Sequence, residues 1–160
     1  IIITVFSPHT GRTIFRYTLS NFKEMLAVIP PIFLLLGLLD VWVPRETIIR
    51  FLGPSSGAVG IGLSILLGAA AAGPLYGAFP VTAVMARKGA RFSNILVFLG
   101  SWATLKIPMF LFEMSALGPG FAILRAALNI PGIILLALVL ERLLGQEEIS
   151  AFYARHAEEA

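Results

Sequence analysis

The sequence predicts an all-α, polytopic helical membrane protein of about four transmembrane spans, one broken at a Gly-Pro pair, with interfacial amphipathic helices. Three observations predict it. Of the 160 residues, 58% are hydrophobic and only 13% charged, with a mean hydropathy of +0.89, against roughly 25% charged in soluble domains. Between Gly53 and Val84 there is no Lys, Arg, Asp or Glu at all, and about 20 apolar residues suffice to cross a bilayer. Finally, the basic residues behind the net charge of +3 cluster in short segments beside apolar runs. That pattern needs a lipid bilayer and no nucleic acid as partner.

The first 24 residues form an N-terminal amphipathic segment. Ile14, Phe15, Leu19 and Phe22 recur at helical spacing among Arg12, Arg16 and Lys23, the pattern of a basic helix lying on a membrane surface. The chain opens on Ile-Ile-Ile rather than Met, so a few leading residues are expected to be missing. No signal peptide is expected, because the first long apolar run follows some twenty mixed residues.

Residues 25–140 read as the transmembrane domain. The first span runs from Met25 to Val43, kinked at Pro30-Pro31, with Asp40 and Trp42 near its far end. Arg45 to Gly53 is a short interfacial helix with Ile48, Ile49 and Leu52 on one face, and Gly53-Pro54-Ser55-Ser56-Gly57 is a loop. The second span falls into two halves, Ala58 to Ala72 and Leu75 to Ala86. One continuous helix there would measure about 43 Å against a hydrocarbon core of about 30 Å. A break, a strong tilt or a re-entrant hairpin is required, and the hairpin would reduce the count to three crossings. Gly57, Gly60, Gly62, Gly68 and Ala69 to Ala72 supply small residues for close helix approach. After the basic loop Arg87 to Arg91, the third span runs from Phe92 to Glu113 and the fourth from Phe121 to Leu140, with a weak point at Asn129 and Pro131-Gly132. Residues 141–160 form a polar tail with a surface helix through Ile149, Phe152 and Tyr153.

Four crossings place Arg12, Arg16, Lys23, Arg87, Lys88, Arg91, Arg142 and Arg155 on one side, and Arg45, Arg50 and Arg125 on the other. By the positive-inside rule both termini are then cytoplasmic, in an inner (cytoplasmic) membrane.

The composition removes several classes of chemistry. Zero cysteines exclude disulfides, thiolate metal sites and thiol redox. His9 and His156 lie near the termini, so the spans hold no histidine cluster. With no nucleophile or metal constellation, neither an enzyme nor a cofactor is expected.

The candidate site centres on Lys106, about 21 Å into the third helix at 1.5 Å per residue. An ammonium at that depth is expensive and serves a cavity, a partner charge or a pathway, unless it snorkels to the interface. Pro108, two residues on, frees the carbonyl near residue 104. At Gly73-Pro74 the proline suits a helix start, whose orphan donors favour anions; alternatively the pair is a mere kink. Gly73, Pro74, Tyr76, Phe79, Pro80, Trp102, Lys106 and Pro108 are therefore the expected substrate pathway, with Ser101, Thr104 and Thr82 as further lining. Glu113 and Arg125 are expected as a structural ion pair tying the third and fourth spans.

Several of these pieces recur together. Gly73-Pro74 with Ala78-Phe79-Pro80, Lys88-Gly89-Ala90, Trp102 with Lys106 and Pro108, Phe112-Glu113, Leu117-Gly118 and Leu124-Arg125 cover roughly residues 53–140. In combination they resemble the predicted permease family that includes organoarsenical efflux permeases and their half-size relatives. Full-length members resemble two such units in one chain, so the resemblance implies a half-permease, working as a homodimer or paired with another membrane subunit, for a small solute that is metalloid-containing on the resemblance or anionic on the reading of Lys106 and Pro74. Thiol recognition of arsenic has no counterpart in this cysteine-free chain. The competing expectation is a non-transporting structural subunit of a larger membrane complex.

Overall fold

A computed structural model describes residues 8–71 and 73–158, and the chain divides into two units, Ile1–Gly37 and Leu38–Ala160. The described residues are almost wholly helical, as expected. The side chains of His9, Met25 and Asp40, and residue Ala72, lie outside what is described.

The first helix, α1 (Pro8–Trp42), runs through Pro30 and Pro31 without interruption. The expected surface helix and first span are thus one element. The two prolines leave the carbonyls of Leu26 and Ala27 without their helical donors, yet the flanking turns carry the helix across. Ile14, Phe15, Leu19 and Phe22 are exposed, as are Arg12, Arg16 and Lys23 around them.

In the larger unit, α2 (Arg45–Leu52) buries Ile48 and Leu52 and exposes its charges, while Ile49, expected on the same apolar face, is exposed. The chain then bends by 111° into α3 (Gly57–Ala70). Ser56 stabilises the corner, its hydroxyl donating to the Gly53 carbonyl at 2.7 Å. Along α3, Gly60, Ser64 and Gly68 fall four residues apart and are buried. They form a groove for α5 (Phe92–Thr104). A Cβ on Gly60 would lie 2.5 Å from Asn94 Nδ2, and one on Gly68 would lie 2.5 Å from the Phe98 carbonyl. Residues 60 and 68 thus face 94 and 98, so α3 and α5 run parallel.

Between them the chain turns back. After Pro74, a 3-10 turn (Leu75–Gly77) leads into α4 (Ala78–Arg87). The end of α4 returns to where α3 began. Arg91 N–H and Asn94 Nδ2 both donate to the Leu52 carbonyl at 2.8 Å, Asn94 also donates to Ser56 Oγ at 3.0 Å, and Lys88 Nζ donates to the Val43 carbonyl at 2.6 Å. Residues 57–87 therefore form a helical hairpin that turns back at Gly73-Pro74, with both arms opening at the same end of this unit. The cause is local. Ala71 leaves the helix, Gly73 adopts a left-handed φ of 106°, and Pro74 cannot continue α3.

Among the described residues two elements are long and apolar enough to cross a membrane, Phe92–Ala116 and Pro119–Leu143, with a third if the bent pair α2–α3 is one span. The first is itself interrupted. α5 ends at Thr104, and α6 (Ile107–Ala116) begins after Leu105 and Lys106. The continuous third span to Glu113 is thus corrected to a broken one. The opposite correction applies to α7 (Pro119–Leu143), which runs straight through Asn129 and Pro131. Gly118, with φ 89°, makes the sharp turn between α6 and α7.

The polar tail forms α8 (Gln146–Glu158). Tyr153 Oη donates to the Ala90 carbonyl at 2.7 Å, and the Phe152 ring meets Phe92 edge to face at 5.3 Å. Burial, aided by the charge of Glu141, pushes the Tyr153 phenol up, and Arg91 only partly opposes this. The phenol therefore remains a donor at neutral pH. The core lies along α4 and α5, where Ala78, Val84, Met85, Ile95, Val97, Phe98 and Trp102 are almost fully buried.

The turn at Gly73-Pro74 redraws the charge distribution. Arg45, Arg50, Arg87, Lys88, Arg91, Arg142 and Arg155 now share one end of this unit, while the turn between α6 and α7 (Leu117-Gly118-Pro119-Gly120) is uncharged.

Candidate functional site

The hairpin tip and the break in the α5–α6 span are two places where this unit loses helical hydrogen bonding inside an apolar stretch. They meet. α3 carries the tip about 21 Å from the basic end, at 1.5 Å per residue over its length, and α5 brings Lys106 to a similar depth. In the 25-residue span Phe92–Ala116, Lys106 stands near the middle.

At the tip, the carbonyl of Gly73 has no partner from its own helix. It accepts hydrogen bonds from Trp102 Nε1 at 3.3 Å and from Lys106 Nζ. Trp102 is only 4% exposed and is held edge to face against Phe98. Its indole is thus fixed, and its one donor locates the tip. Lys106 caps α6 in an extended conformation (φ −54°, ψ 128°), which frees its side chain to reach sideways to Gly73 instead of snorkelling to an interface.

The expectation for Pro74 needs correcting. No α-helix starts on it; Pro74 precedes a 3-10 turn in which Gly77 N–H donates to the Pro74 carbonyl at 3.0 Å. Lys106 consequently meets the acceptor side of the break, a carbonyl, rather than the donors of a helix start. Pro80 does not interrupt α4, because it lies in the first turn, where its missing N–H is no loss. Thr82 Oγ1 donates to the Phe79 carbonyl at 2.7 Å. Leu75, Tyr76 and Phe79 are exposed around the tip, so this polar junction is ringed by apolar side chains without partners in the single chain.

The second break is built differently. Pro108 has no N–H to give Thr104, four residues back, so the Thr104 carbonyl is orphaned as expected. Arg125 from α7 fills it, Nη1 donating at 2.9 Å while Nε donates to Glu113 Oε2 at 2.6 Å. The expected Glu113–Arg125 pair is thus present. It ties α7 to both α6 and the break, which the sequence did not indicate. Glu113 is buried with this one cation, whereas among the described residues no carboxylate lies within ion-pair distance of Lys106.

Each broken helix therefore presents one orphan carbonyl to one cation, but only Arg125 is neutralised by an acid. Lys106 has the Gly73 carbonyl dipole where Arg125 has an acid, a setting in which a bound anionic group would supply the counter-charge. Among the described residues there is no group of three His, Cys, Asp or Glu able to hold a metal.

Some organising residues escaped the sequence reading. Asn94 and Lys88 close the open end of the hairpin, and Arg91 pairs with Glu141 through Nε at 3.0 Å and Nη2 at 2.6 Å. Asn94 is a lone amide in an apolar helix, a signal that a partner carbonyl must exist. The Arg91–Glu141 pair lies 50 residues apart in the chain, and no local pattern announces it.

The sequence profile of a protein family described as "Predicted permease" (ArsP_1) matches residues 12–160. No curated protein and no solved structure matches the chain.

Proposed function

This chain belongs to the predicted permease family ArsP_1, and from that premise we propose that it is a half-transporter, working as a dimer to move a small anionic or metalloid oxyanion-like solute. The membrane setting and the transport class follow from the family and from the two apolar spans. The finer reading rests on one observation: Lys106 and the hairpin tip at Gly73 meet near the middle of a broken span. Transporters place substrate sites at such discontinuities, near the midplane and at the interface between repeats.

In this reading the solute's negative group displaces the Gly73 carbonyl from the Lys106 ammonium, and Trp102 retains the tip in place. Tyr76 and Phe79, exposed in one chain, face the same element of a second copy and enclose the pathway. Pro74, Pro80 and Pro108 act by shaping the two breaks. No covalent chemistry and no cofactor are involved. The basic end faces the cytoplasm of an inner membrane, which puts the C-terminus there. In this reading the hairpin dips in and returns without crossing, so an N-terminus on the same side requires α1 not to cross either. Protease protection of tags at each end in intact cells reads both placements, and an external C-terminus would overturn this orientation.

The functional test is a pair of substitutions in proteoliposomes offered a panel of small oxyanions. Lys106→Met keeps the length and removes the charge, so uptake should vanish while membrane insertion and assembly remain. Lys106→Arg should retain part of it, since the guanidinium is larger and planar. Unchanged flux in Lys106→Met would refute the site.

A second reading has its own observation. The ammonium already has the Gly73 carbonyl as partner, and the exposed Leu75, Tyr76 and Phe79 also suit packing against a different subunit, as in a structural component of a larger complex. Purification from native membranes in mild detergent separates the two: a homodimer supports transport, and fixed stoichiometry with other chains supports the structural role.

A further inference from the structure

Far from the Lys106 junction, at the basic end, a cavity of about 740 Å³ opens between the start of α5, the end of α7 and the start of α8. Its walls are of two kinds. Arg91, Glu141 and Arg142 supply charge, while Phe92, Leu144 and Ile149 are apolar. Two guanidiniums against one carboxylate leave a net positive site, which suits an anion and not a metal ion.

The charges are not equivalent. Glu141 is committed: it grips Arg91 through both oxygens and accepts from the Ser93 N–H at 3.2 Å. Arg91 uses Nε and Nη2 in that pair, and Nη1 is left over. Arg142 is exposed, and among the described residues no carboxylate pairs with it. The cavity therefore holds a fixed ion pair that shapes it and one uncommitted guanidinium.

Its position names the ligand. Phe92 begins one candidate span and Leu143 ends the other, so the cavity lies where apolar spans give way to polar chain, at the depth of lipid headgroups. Directly below it on α7, Leu136, Val139 and Leu143 are 61%, 48% and 75% exposed. They fall three and four residues apart on one face, forming an apolar track that leads away from the cavity. A soluble anion would use the guanidinium and leave the track idle. A lipid uses both.

We propose that this cavity is a binding site for an anionic phospholipid. The phosphodiester accepts hydrogen bonds from Arg142 and from Arg91 Nη1, the headgroup lies against Leu144 and Ile149, and the acyl chains follow Leu143, Val139 and Leu136. Basic pockets at the ends of spans recognise anionic headgroups in this way, each Lys or Arg contributing about 1 kcal/mol.

The test uses the full chain in a neutral detergent, titrated with dioleoyl-phosphatidylglycerol or dioleoyl-phosphatidylcholine, with or without inorganic phosphate. Thermal unfolding and lipid retention in native mass spectrometry are the readouts. Phosphatidylglycerol should bind at least fivefold more tightly than phosphatidylcholine, and excess inorganic phosphate should not displace it. Arg142→Gln should weaken phosphatidylglycerol binding about fivefold, the equivalent of about 1 kcal/mol, without changing the lipid-free unfolding temperature. Arg142→Lys should keep most of the preference. If Arg142→Gln fails to fold, the wild-type preference must still shrink as salt is raised, because it is electrostatic. Equal binding of both lipids, displacement by phosphate, or an unaffected Arg142→Gln each overturns the proposal.

Discussion

Replacing Gly68 with alanine asks whether the junction depends on the close approach of α3 and α5. The added Cβ would sit 2.5 Å from the Phe98 carbonyl oxygen, 2.8 Å from Ser101 Cβ and 3.0 Å from the Trp102 nitrogen. Two of these are backbone atoms of α5 and cannot rotate away. Ordinary van der Waals contact begins near 3.4 Å, so the helices must separate locally by about 0.9 Å, the difference between 3.4 and 2.5. Overpacking of this kind costs about 1–3 kcal/mol, a fall of roughly 2–12 °C in Tm for a chain of this size. The shift also carries the tip away from α5. Trp102 Nε1 already lies 3.3 Å from the Gly73 carbonyl, so a further displacement of that order breaks the bond, and Lys106 loses its fixed partner. Gly62→Ala is the matched control, being six residues earlier in the same helix with nothing within 4 Å of its added Cβ. Alanine there should be neutral or slightly stabilising, because it is the better helix former. Thermal unfolding of both variants in detergent, together with solute flux, reads the difference. Equal stability and flux in the two would refute the packing argument.

The Glu113–Arg125 pair predicts a non-additive double substitution. Arg125→Met alone strands a buried carboxylate and the Thr104 carbonyl, costing about 3–5 kcal/mol. Adding Glu113→Gln should recover a large part of that loss in a thermal unfolding cycle, and additive losses would count against a coupled pair. Similarly, Gly73→Ala places a side chain at φ 106°, where L residues are strained. It should lower junction-dependent flux more than it lowers Tm, whereas an effect on Tm alone would argue that the tip is only structural.

Much of this architecture is legible in the sequence, because its causes are local. The charge-free run, the Gly-Pro pair and the capping glycines specify helices and where they stop. The Thr104 carbonyl, orphaned by Pro108, follows from the covalent structure of proline. Glu113 and Arg125 are findable because a buried charge must have a partner. What escaped has a non-local cause. Whether residues 57–87 cross or turn back depends on contacts at the open end of the hairpin, where Leu52 meets Arg91 and Asn94, and hydropathy is the same for both answers. The break at Lys106 is also invisible to hydropathy, since α5 and α6 together form one apolar stretch. Conversely, Pro131 looks like a break and is not one, because α7 continues through it. Proline marks a lost hydrogen bond, and the surroundings decide whether the helix yields.

The most direct test of the central claim, that the hairpin tip lines a solute pathway, needs no knowledge of the solute. The chain contains no cysteine, so Tyr76→Cys creates a single reporter at the exposed tip. In sealed vesicles it should react with a membrane-impermeant maleimide, because a pathway residue meets water despite its depth. Small oxyanions that occupy the Lys106 site should slow the reaction. Labelling only by lipid-soluble reagents, at a rate indifferent to every solute, would show that the tip faces lipid or protein, and the pathway assignment would be wrong.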